Sequence, residues 1–322
     1  MVAATCRICN ATEVAGRHRV REMMFGLREV FDYLECGACG CLQIAEIPED
    51  ISKYYPPDYY AHQPQSARNP VVRYLRRRRN HYGFFRRGLL GQVLSWISPY
   101  PRGNVYGWLH RSGASRDSRI LEIGCGTGAF LSDLREQGFH RLLGADPFIA
   151  TDCVLPNGIP LRKATADQLD GSFDLIMLHH TLEHIPDQLS TLRSIAGLLA
   201  SGGECLIRIP ISSSYAWEHY RENWVQIDAP RHFFLHSIDS IRLLGEMAGL
   251  RLAEVQYDST ELQFVGSEMY RRDIPLTSAR PELFTRRELR QFRKAARRLN
   301  EEGRGDSAAL FFRVAEEGTG SM

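Results

Sequence analysis

Apolar and polar positions along this chain fall into blocks. Short apolar runs at 120–123, 141–145, 160–164, 173–178 and 204–210 have the length and composition of buried strands, and turn residues close them. Segments at 129–137, 188–199 and 238–248 read as helices, the last opened by Ser237 as a cap. Strand and helix in alternation predict a doubly wound sheet with helices on its faces. Further strands are expected at 252–257 and 308–314. Between these two strands, 264–270 and a basic helix at 286–299 read as a lid or interface, with the arginines as a solvated face.

The chain ahead of this core is patterned differently. Cys6-Arg7-Ile8-Cys9 and Cys36-Gly37-Ala38-Cys39 are two paired hooks around a segment, 30–34, that suits a small hairpin. Four thiolates on such turns can close a tetrahedron around Zn²⁺, with disulfides as the competing use in an oxidising compartment. Cys41 could take the place of Cys39. Four protein ligands leave no open position, so this zinc would be structural and would fold a segment too small to hold itself together. Next comes Tyr54-Tyr55-Pro56-Pro57-Asp58-Tyr59-Tyr60, a rigid turn whose rings either pack the ribbon onto the main domain or meet substrate.

A basic stretch follows. Arg68, Arg73, Arg76, Arg77, Arg78, Arg79, Arg86 and Arg87 are interleaved with Tyr74, Tyr82, Phe84 and Phe85. One reading is a solvated helix with an apolar stripe at Val72, Leu75 and the Arg79 stem. The other is a site for a phosphate-bearing partner: a diphosphate or lipid-linked substrate, an anionic membrane surface or nucleic acid. Further helix is expected to 110, broken at Ser98-Pro99-Tyr100-Pro101.

Candidate chemistry centres on Glu122-Ile123-Gly124-Cys125-Gly126-Thr127-Gly128. Glycines at the end of a strand permit positive φ and close approach of a ligand, and a helix start beyond them completes a nucleotide cradle. The following strand ends in Asp146, whose carboxylate can accept both hydroxyls of a ribose. On these features alone the cofactor could be a dinucleotide or S-adenosylmethionine (SAM).

The Glu-x-Gly-x-Gly-x-Gly series resembles the first motif of class I SAM-dependent methyltransferases. Phe173-Asp174 with Leu182-Glu183-His184 resembles the fourth motif of the small-molecule members, quinone-pathway O-methyltransferases among them. Ser201-Gly202-Gly203 ahead of a strand that ends in Pro210 is a habit of the same family. The resemblance implies an α/β, Rossmann-like, seven-stranded, mostly parallel sheet, with the seventh strand antiparallel between the fifth and sixth. It implies SAM contacts from Glu122, Gly124, Cys125, Gly126, Gly128, Asp146, Pro147 and His179, and an adenine site at Thr165, Ala166 and Asp167. The cysteine ribbon and tyrosine-rich segment resemble the N-terminal region of bacterial methyltransferases of sugar and cell-surface glycan biosynthesis. The loop around His232 resembles that of the zinc-ribbon sugar C-methyltransferases, in which a histidine is the general base. That match implies His232 as base and Arg231 as the group orienting an anionic substrate.

Methyl transfer is an in-line displacement that needs the acceptor aligned and, for a hydroxyl, deprotonated. His180, Glu183 and His184 are spaced to share one face of a helical turn, so His180 and His184 join His232 as catalytic candidates. A divalent metal at His180, Glu183 and His184, as in some relatives, stays open. The remaining thiols, Cys125, Cys153 and Cys205, read as core or near-core.

A length of 322 residues with a net charge of +2 suits a globular protein of ordinary composition. There is no apolar run of membrane-spanning length, and no hydrophobic core follows the first residues as in a signal peptide, so a cytoplasmic location is expected. The expected organisation is a zinc ribbon at 1–50, a tyrosine-rich basic linker at 51–117 and a methyltransferase domain at 118–322. The expected reaction moves a methyl from SAM to a hydroxyl or carbon of a small acceptor, a nucleotide-linked sugar, glycan or lipid-linked intermediate being the classes in view. The alternatives are an RNA methyltransferase, a non-catalytic SAM-binding scaffold and a dehydrogenase.

Overall fold

The computed structural model describes residues 5–56, 69–97 and 105–315. Arg68, Tyr59, Tyr60 and the break at 98–101 lie outside the described residues. In chain order the strands and α-helices are β1 (Val14–Arg21), β2 (Val30–Cys36), β3 (Leu42–Ile44), α1 (Pro70–Phe85), α2 (Leu89–Ile97), α3 (Val105–Arg111), β4 (Ile120–Ile123), α4 (Ala129–Glu136), β5 (Leu142–Ala145), β6 (Cys153–Val154), β7 (Pro160–Arg162) and β8 (Phe173–His179). They continue as α5 (Gln188–Leu198), β9 (Leu199–Pro210), α6 (Tyr215–Tyr220), β10 (Phe234–Leu235), α7 (Ile238–Met247), β11 (Leu250–Tyr257), α8 (Leu262–Arg271), α9 (Arg286–Glu301) and β12 (Ser307–Val314). By contact the chain divides into two units. Pro57–Leu178 with Arg193–Leu206 form the core unit, and Met1–Pro56, His179–Leu192 and Ile207–Met322 form the ribbon unit.

In the core unit the strand order is β9-β8-β4-β5-β7-β6. β4 runs parallel to both β5 and β8, with Ile123 opposite Ala145 and Leu178. Ile120, Leu121, Leu175, Ile176, Met177 and Leu178 are all buried, which is why these strands read as unbroken apolar runs rather than alternating ones. Asp174 has a structural task. Its carboxylate accepts from the Arg119 backbone N–H at 2.7 Å and pairs with the Arg119 guanidinium at 2.9 Å, pinning the start of β8 to the start of β4. Gly144 of β5 cannot carry a side chain, because a Cβ there would lie 2.7 Å from the Cys125 sulfur and 2.6 Å from Leu161.

Two expectations need correction in this unit. β6, a two-residue strand antiparallel to β7, adds a strand beyond the seven expected in the sheet and leaves Cys153 exposed rather than near the core. The apolar stripe expected on α1 holds at Arg79 but fails at Val72, which is exposed; the buried side runs through Arg79, Asn80 and Phe84. Phe84 packs edge-on to Phe139 at 4.8 Å, Asn80 donates to the Tyr106 hydroxyl at 2.7 Å, and Arg76 pairs with Asp133 at 2.7 Å. Part of the arginine run is therefore consumed in docking α1.

The ribbon unit holds a four-stranded sheet of order β1-β2-β3-β10. Its fourth strand comes from far along the chain: Leu235 pairs with Leu42 and Phe234 with Gln43. The cysteine hairpin thus shares a sheet with the loop after Pro210. Around the last residues of β9 the order is β11-β12-β9, with β12 antiparallel to β11, the arrangement the resemblance implies. α8 is packed rather than lid-like. Phe264, Met269 and Tyr270 are buried, and a Cβ on Gly266 would come within 2.4 Å of Val225. On α9 only Ala296 and Leu299 are buried, so most of its arginines are solvated. Among the described residues no helix is long and apolar enough to cross a membrane.

The centre of this unit is Arg231, whose side chain is fully buried. Its guanidinium grips Asp228 with Nε at 3.0 Å and Nη2 at 2.5 Å, reaches Glu22 at 2.8 Å, and donates to the Tyr54 carbonyl at 3.1 Å. This contradicts the expectation that Arg231 orients an anionic substrate, since its donors are already used inside the fold. Truncating one member of a buried ion cluster strands the others in low dielectric. Arg231→Met is therefore expected to lower stability by about 3–5 kcal/mol. Arg242→Ala, which breaks the exposed pair with Asp239, should cost less than about 1 kcal/mol. Denaturant titration of the two variants checks the contrast, and equal losses would refute it.

Candidate active site

The cofactor loop lies wholly in the core unit. Gly124, Gly126 and Gly128 have φ values of 72°, 50° and 67°, so all three occupy the left-handed region that a Cβ disfavours. The loop is stitched to the strand beside it: Gly124 and Cys125 both donate to the Ala145 carbonyl, at 2.8 and 3.3 Å. Asp146 completes the cradle. One carboxylate oxygen accepts from the Gly126 N–H at 2.9 Å and the other from the Phe148 N–H at 2.8 Å. Each oxygen keeps a second lone pair, as a ribose diol would need. α4 begins at Gly128 with no side-chain cap, so its first N–H groups face the loop as a positive helix end. The residues present thus suit SAM.

The other predicted cofactor residues are placed as follows. Glu122 is buried within β4, and Cys125 is buried with its thiol pushed up in pKa by burial, which leaves its backbone as the part a ligand would meet. Pro147 follows Asp146 in the turn leading to Phe148. Thr165 and Asp167 are exposed at a short 3₁₀ turn, where the Thr165 hydroxyl donates to the Asp167 carboxylate at 2.6 Å, and Ala166 between them is buried. His179 ends β8, one residue past Leu178. Sequence reasoning missed Phe148, a large aromatic left 82% exposed directly after Asp146 and Pro147. The signal for it was an aromatic side chain in a turn where no core position is available.

The histidines gather in the ribbon unit. His184 and His232 stack edge to face with ring centroids 4.7 Å apart. Nδ1 of His184 lies 2.8 Å from the Arg231 carbonyl and 3.1 Å from the Tyr55 hydroxyl, and Nδ1 of His232 lies 2.7 Å from the Gln226 carbonyl. A carbonyl only accepts, so each Nδ1 carries a proton, and in the neutral form of either ring Nε2 is the nitrogen that presents a lone pair. Burial, and then the neighbouring His232, hold the His184 pKa below the ordinary imidazole value, which keeps the ring neutral.

His180 is different from the expectation. It sits at φ 51° ahead of the 3₁₀ turn Leu182–His184 rather than on a helical face, and both its ring nitrogens are engaged. Nε2 accepts from Arg208, which also pairs with Asp258 at 2.6 Å, and Nδ1 donates to Glu183 at 3.1 Å. It therefore positions Glu183 instead of offering a free nitrogen. Burial acts to raise the Glu183 carboxyl, but His180, His184 and His232 outweigh it and hold the pKa at about 2. Gln188 and His236 brace the turn from behind: Gln188 donates to the Leu182 carbonyl at 2.7 Å, and its carbonyl lies 2.8 Å from His236 Nε2.

Among the described residues, two groups of side chains could hold a metal. Glu183, His184 and His232 offer ligand atoms within 4.8 Å of one another, a set in which His232 stands where His180 was expected. Cys6, Cys9, Cys36 and Cys39 form the second group, with Cys6 and Cys39 sulfurs 3.7 Å apart and Cys9 and Cys36 sulfurs 3.5 Å apart. A tetrahedron with Zn–S bonds of about 2.3 Å has edges near 3.8 Å, so these spacings suit the ion. Cys41 is not in the group; its thiol is buried and directed at the Leu42 carbonyl.

Residues 100–255 match the family described as "Methyltransferase domain". The ubiquinone biosynthesis O-methyltransferase of Aeromonas salmonicida is 33% identical over 107 residues, covering 30% of this chain and 45% of that protein. The protein of the same name from Pseudomonas aeruginosa is 30% identical over 111 residues, covering 31% and 47%. The chain thus spans about half the length of the curated relatives it matches. Among solved structures, the 1,6-didemethyltoxoflavin-N1-methyltransferase of Burkholderia thailandensis aligns with a TM-score of 0.41 at 16% identity, over 79% of this chain and 93% of that one. The family match thus places a methyltransferase domain at residues 100–255. S-adenosylhomocysteine is accordingly expected to raise the melting temperature, and NAD to leave it unchanged. Gly128→Val, whose Cβ would lie 2.8 Å from Leu155 at a left-handed φ, should abolish the shift, and Asp146→Asn should weaken binding roughly tenfold. Calorimetry on the variants tests the placement, and wild-type affinity in both would refute it.

Proposed function

We propose that the protein transfers the methyl group of SAM to a hydroxyl of a small acceptor, with the His184–His232 pair taking the proton. The observation that carries this reading is the tautomer forced on both rings. Backbone carbonyls hold both Nδ1 protons, so the neutral form of each imidazole presents Nε2 as the acceptor beside a buried carboxylate, Glu183. SAM, when bound at the glycine loop, supplies the electrophilic methyl. The residues of this chain supply the rest: His232 or His184 accepts the hydroxyl proton, and Glu183 steadies the imidazolium that forms. His180 and Arg208 keep that carboxylate oriented, and Asp228, 3.9 Å from His232 Nε2, adds a second negative charge. The O-methyltransferase names of the matched relatives support oxygen as acceptor, and a carbon acceptor would need the same base.

His232→Ala and His184→Ala are expected to lower kcat by about 10²–10⁴-fold while leaving S-adenosylhomocysteine binding intact. The His184 base is lost on protonation, so kcat/KM should fall as pH drops, on a limb below the ordinary imidazole value of 6.5. A screen of phenolic, quinol and sugar hydroxyl acceptors with mass-spectrometric detection supplies the assay. Undiminished turnover in both variants would remove the histidines from the reaction. Turnover of RNA alone would replace the small acceptor, and cofactor binding with no turnover of any acceptor would leave a scaffold. A second reading rests on the Glu183 Oε2, buried with no hydrogen-bond partner among the described residues. A divalent cation on Glu183, His184 and His232 would then lower the acceptor's pKa, and activity would follow added Mg²⁺ or Mn²⁺.

We also propose that Cys6, Cys9, Cys36 and Cys39 hold a structural Zn²⁺. Purified protein should contain one zinc per chain, lost in Cys39→Ser and kept in Cys41→Ser. Elemental analysis decides it, and zinc retained in Cys39→Ser or lost in Cys41→Ser would overturn the assignment. Removal of the metal by a strong chelator should also lower the melting temperature.

A further inference from the structure

The hairpin of α1 and α2 carries a surface for which methyl transfer has no use. α2 packs on α1 by its small side: a Cβ on Gly91 would meet the Arg78 carbonyl at 2.4 Å and the Tyr82 Cβ at 2.6 Å. At 3.6 residues per turn, Leu89, Leu90, Val93, Trp96 and Ile97 fall within an arc of about 120° on the other side. That arc faces water. Leu89 is 81% exposed, Trp96 73% and Ile97 75%. Apolar side chains gathered on one helix face in this way mark a binding surface rather than ordinary scatter.

The charge around this arc says what the surface meets. Residues 59–116 contain no aspartate and no glutamate. Arg76 and Arg79 are taken up in docking α1, but Arg77, Arg86 and Arg87 are exposed, the last two at the turn directly before Leu89. We infer that α2 is an interfacial helix that lies in the surface of an anionic lipid bilayer, its apolar arc among the acyl chains and these arginines at the headgroup phosphates. A second copy of this chain fits less well, because a symmetric contact through this face would set arginine against arginine, and α1 and α2 themselves hold no aspartate or glutamate to pair with them. RNA fits less well too. Bases stack on aromatic rings, and four of the five side chains in the arc are aliphatic.

The test uses the full chain, without cofactor or acceptor, so its outcome is independent of the methyl-transfer reading. Protein is sedimented with vesicles of phosphatidylcholine alone or mixed with phosphatidylglycerol, while tryptophan emission is followed. Of the four tryptophans, Trp108, Trp217 and Trp224 are buried, so an emission change on binding reports Trp96. Binding to the mixed vesicles is expected, with a blue shift, and at least roughly tenfold weaker binding to phosphatidylcholine alone. Trp96→Glu, and separately the double change Arg86→Gln with Arg87→Gln, should each weaken binding roughly tenfold or more, with unchanged circular dichroism. The arginine pair tests the proposal even where Trp96→Glu fails to fold. Binding to neither vesicle, equal binding to both, or wild-type binding in the arginine variant would overturn it. So would a dimer in sedimentation velocity that Trp96→Glu dissociates, or preference for a homopolymer RNA over the mixed vesicles.

Discussion

A buried guanidinium is the constraint on which the ribbon unit depends. Arg231 has no exposure to water, and its favourable interactions come from Asp228, Glu22 and the Tyr54 carbonyl. Glu22 in turn accepts from the Phe25 and Leu27 N–H groups, at 3.1 and 3.0 Å, so the carboxylate that holds Arg231 also shapes the turn after β1. A cluster with two acids and one base would be costly if any partner moved, because none could be resolvated. Once Arg231 is fixed, so are its neighbours in the chain. Its carbonyl receives the His184 Nδ1–H, and the carbonyl of His232 receives the Tyr33 hydroxyl at 2.8 Å. Glu183 accepts the Phe233 N–H on its backbone, and Ile44 donates to the Phe233 carbonyl. The polar groups of the histidine loop are thereby tied to the cysteine hairpin, and His184 and His232 are held by the same bonds that hold the fold.

Legibility in the sequence followed the range of the interactions. The strands of the core were readable because burial on both faces leaves uninterrupted apolar runs, and the glycine loop because positive φ at three alternating positions demands glycine. Asp146 was readable from its place at a strand end. The Asp174 carboxylate, used as a family mark, proved to be a pin between two strand starts. Arg231 was misread because nothing local to Pro230-Arg231-His232 shows that its partner lies at Glu22, more than two hundred residues earlier. His180 was misread for a similar reason. Its spacing to Glu183 was right, and the contact at 3.1 Å exists, but Arg208 on another strand takes the second ring nitrogen. Val72 failed through periodicity: the buried face of α1, which Arg79 was expected to share, is completed by Asn80 and Phe84, and a hydrophobic pattern gives no warning of a buried asparagine.

The two halves of the chemistry also ask different things of a polypeptide. The cofactor loop works through backbone N–H groups, left-handed glycines and one carboxylate, all within two adjacent strands and their turns. Such a site can be written in a short motif. The histidine cluster needs two side chains held at a fixed tautomer, and each tautomer is set by a carbonyl on the 226–231 turn, whose position depends on Asp228 and Arg231. No short motif can specify that geometry, because its supports come from the first sixty residues.

This dependence gives the cysteine ribbon a physical role beyond its own folding. β3 follows directly on the second hook, and it pairs with β10 immediately after His232 and Phe233. Ser237, which caps α7, donates to the Cys39 carbonyl at 2.5 Å, and Ser212 donates to the Gly40 carbonyl at 3.0 Å. A hairpin of this size has little apolar interior of its own, so closure of its cysteines around an ion would add to its order. Tetrahedral closure of four sulfurs would fix the turn at 36–41, that turn would fix Ser237 and the register of β10, and the register would fix where His232 stands. A metal held by these four sulfurs would in this way set the position of His232 without touching it.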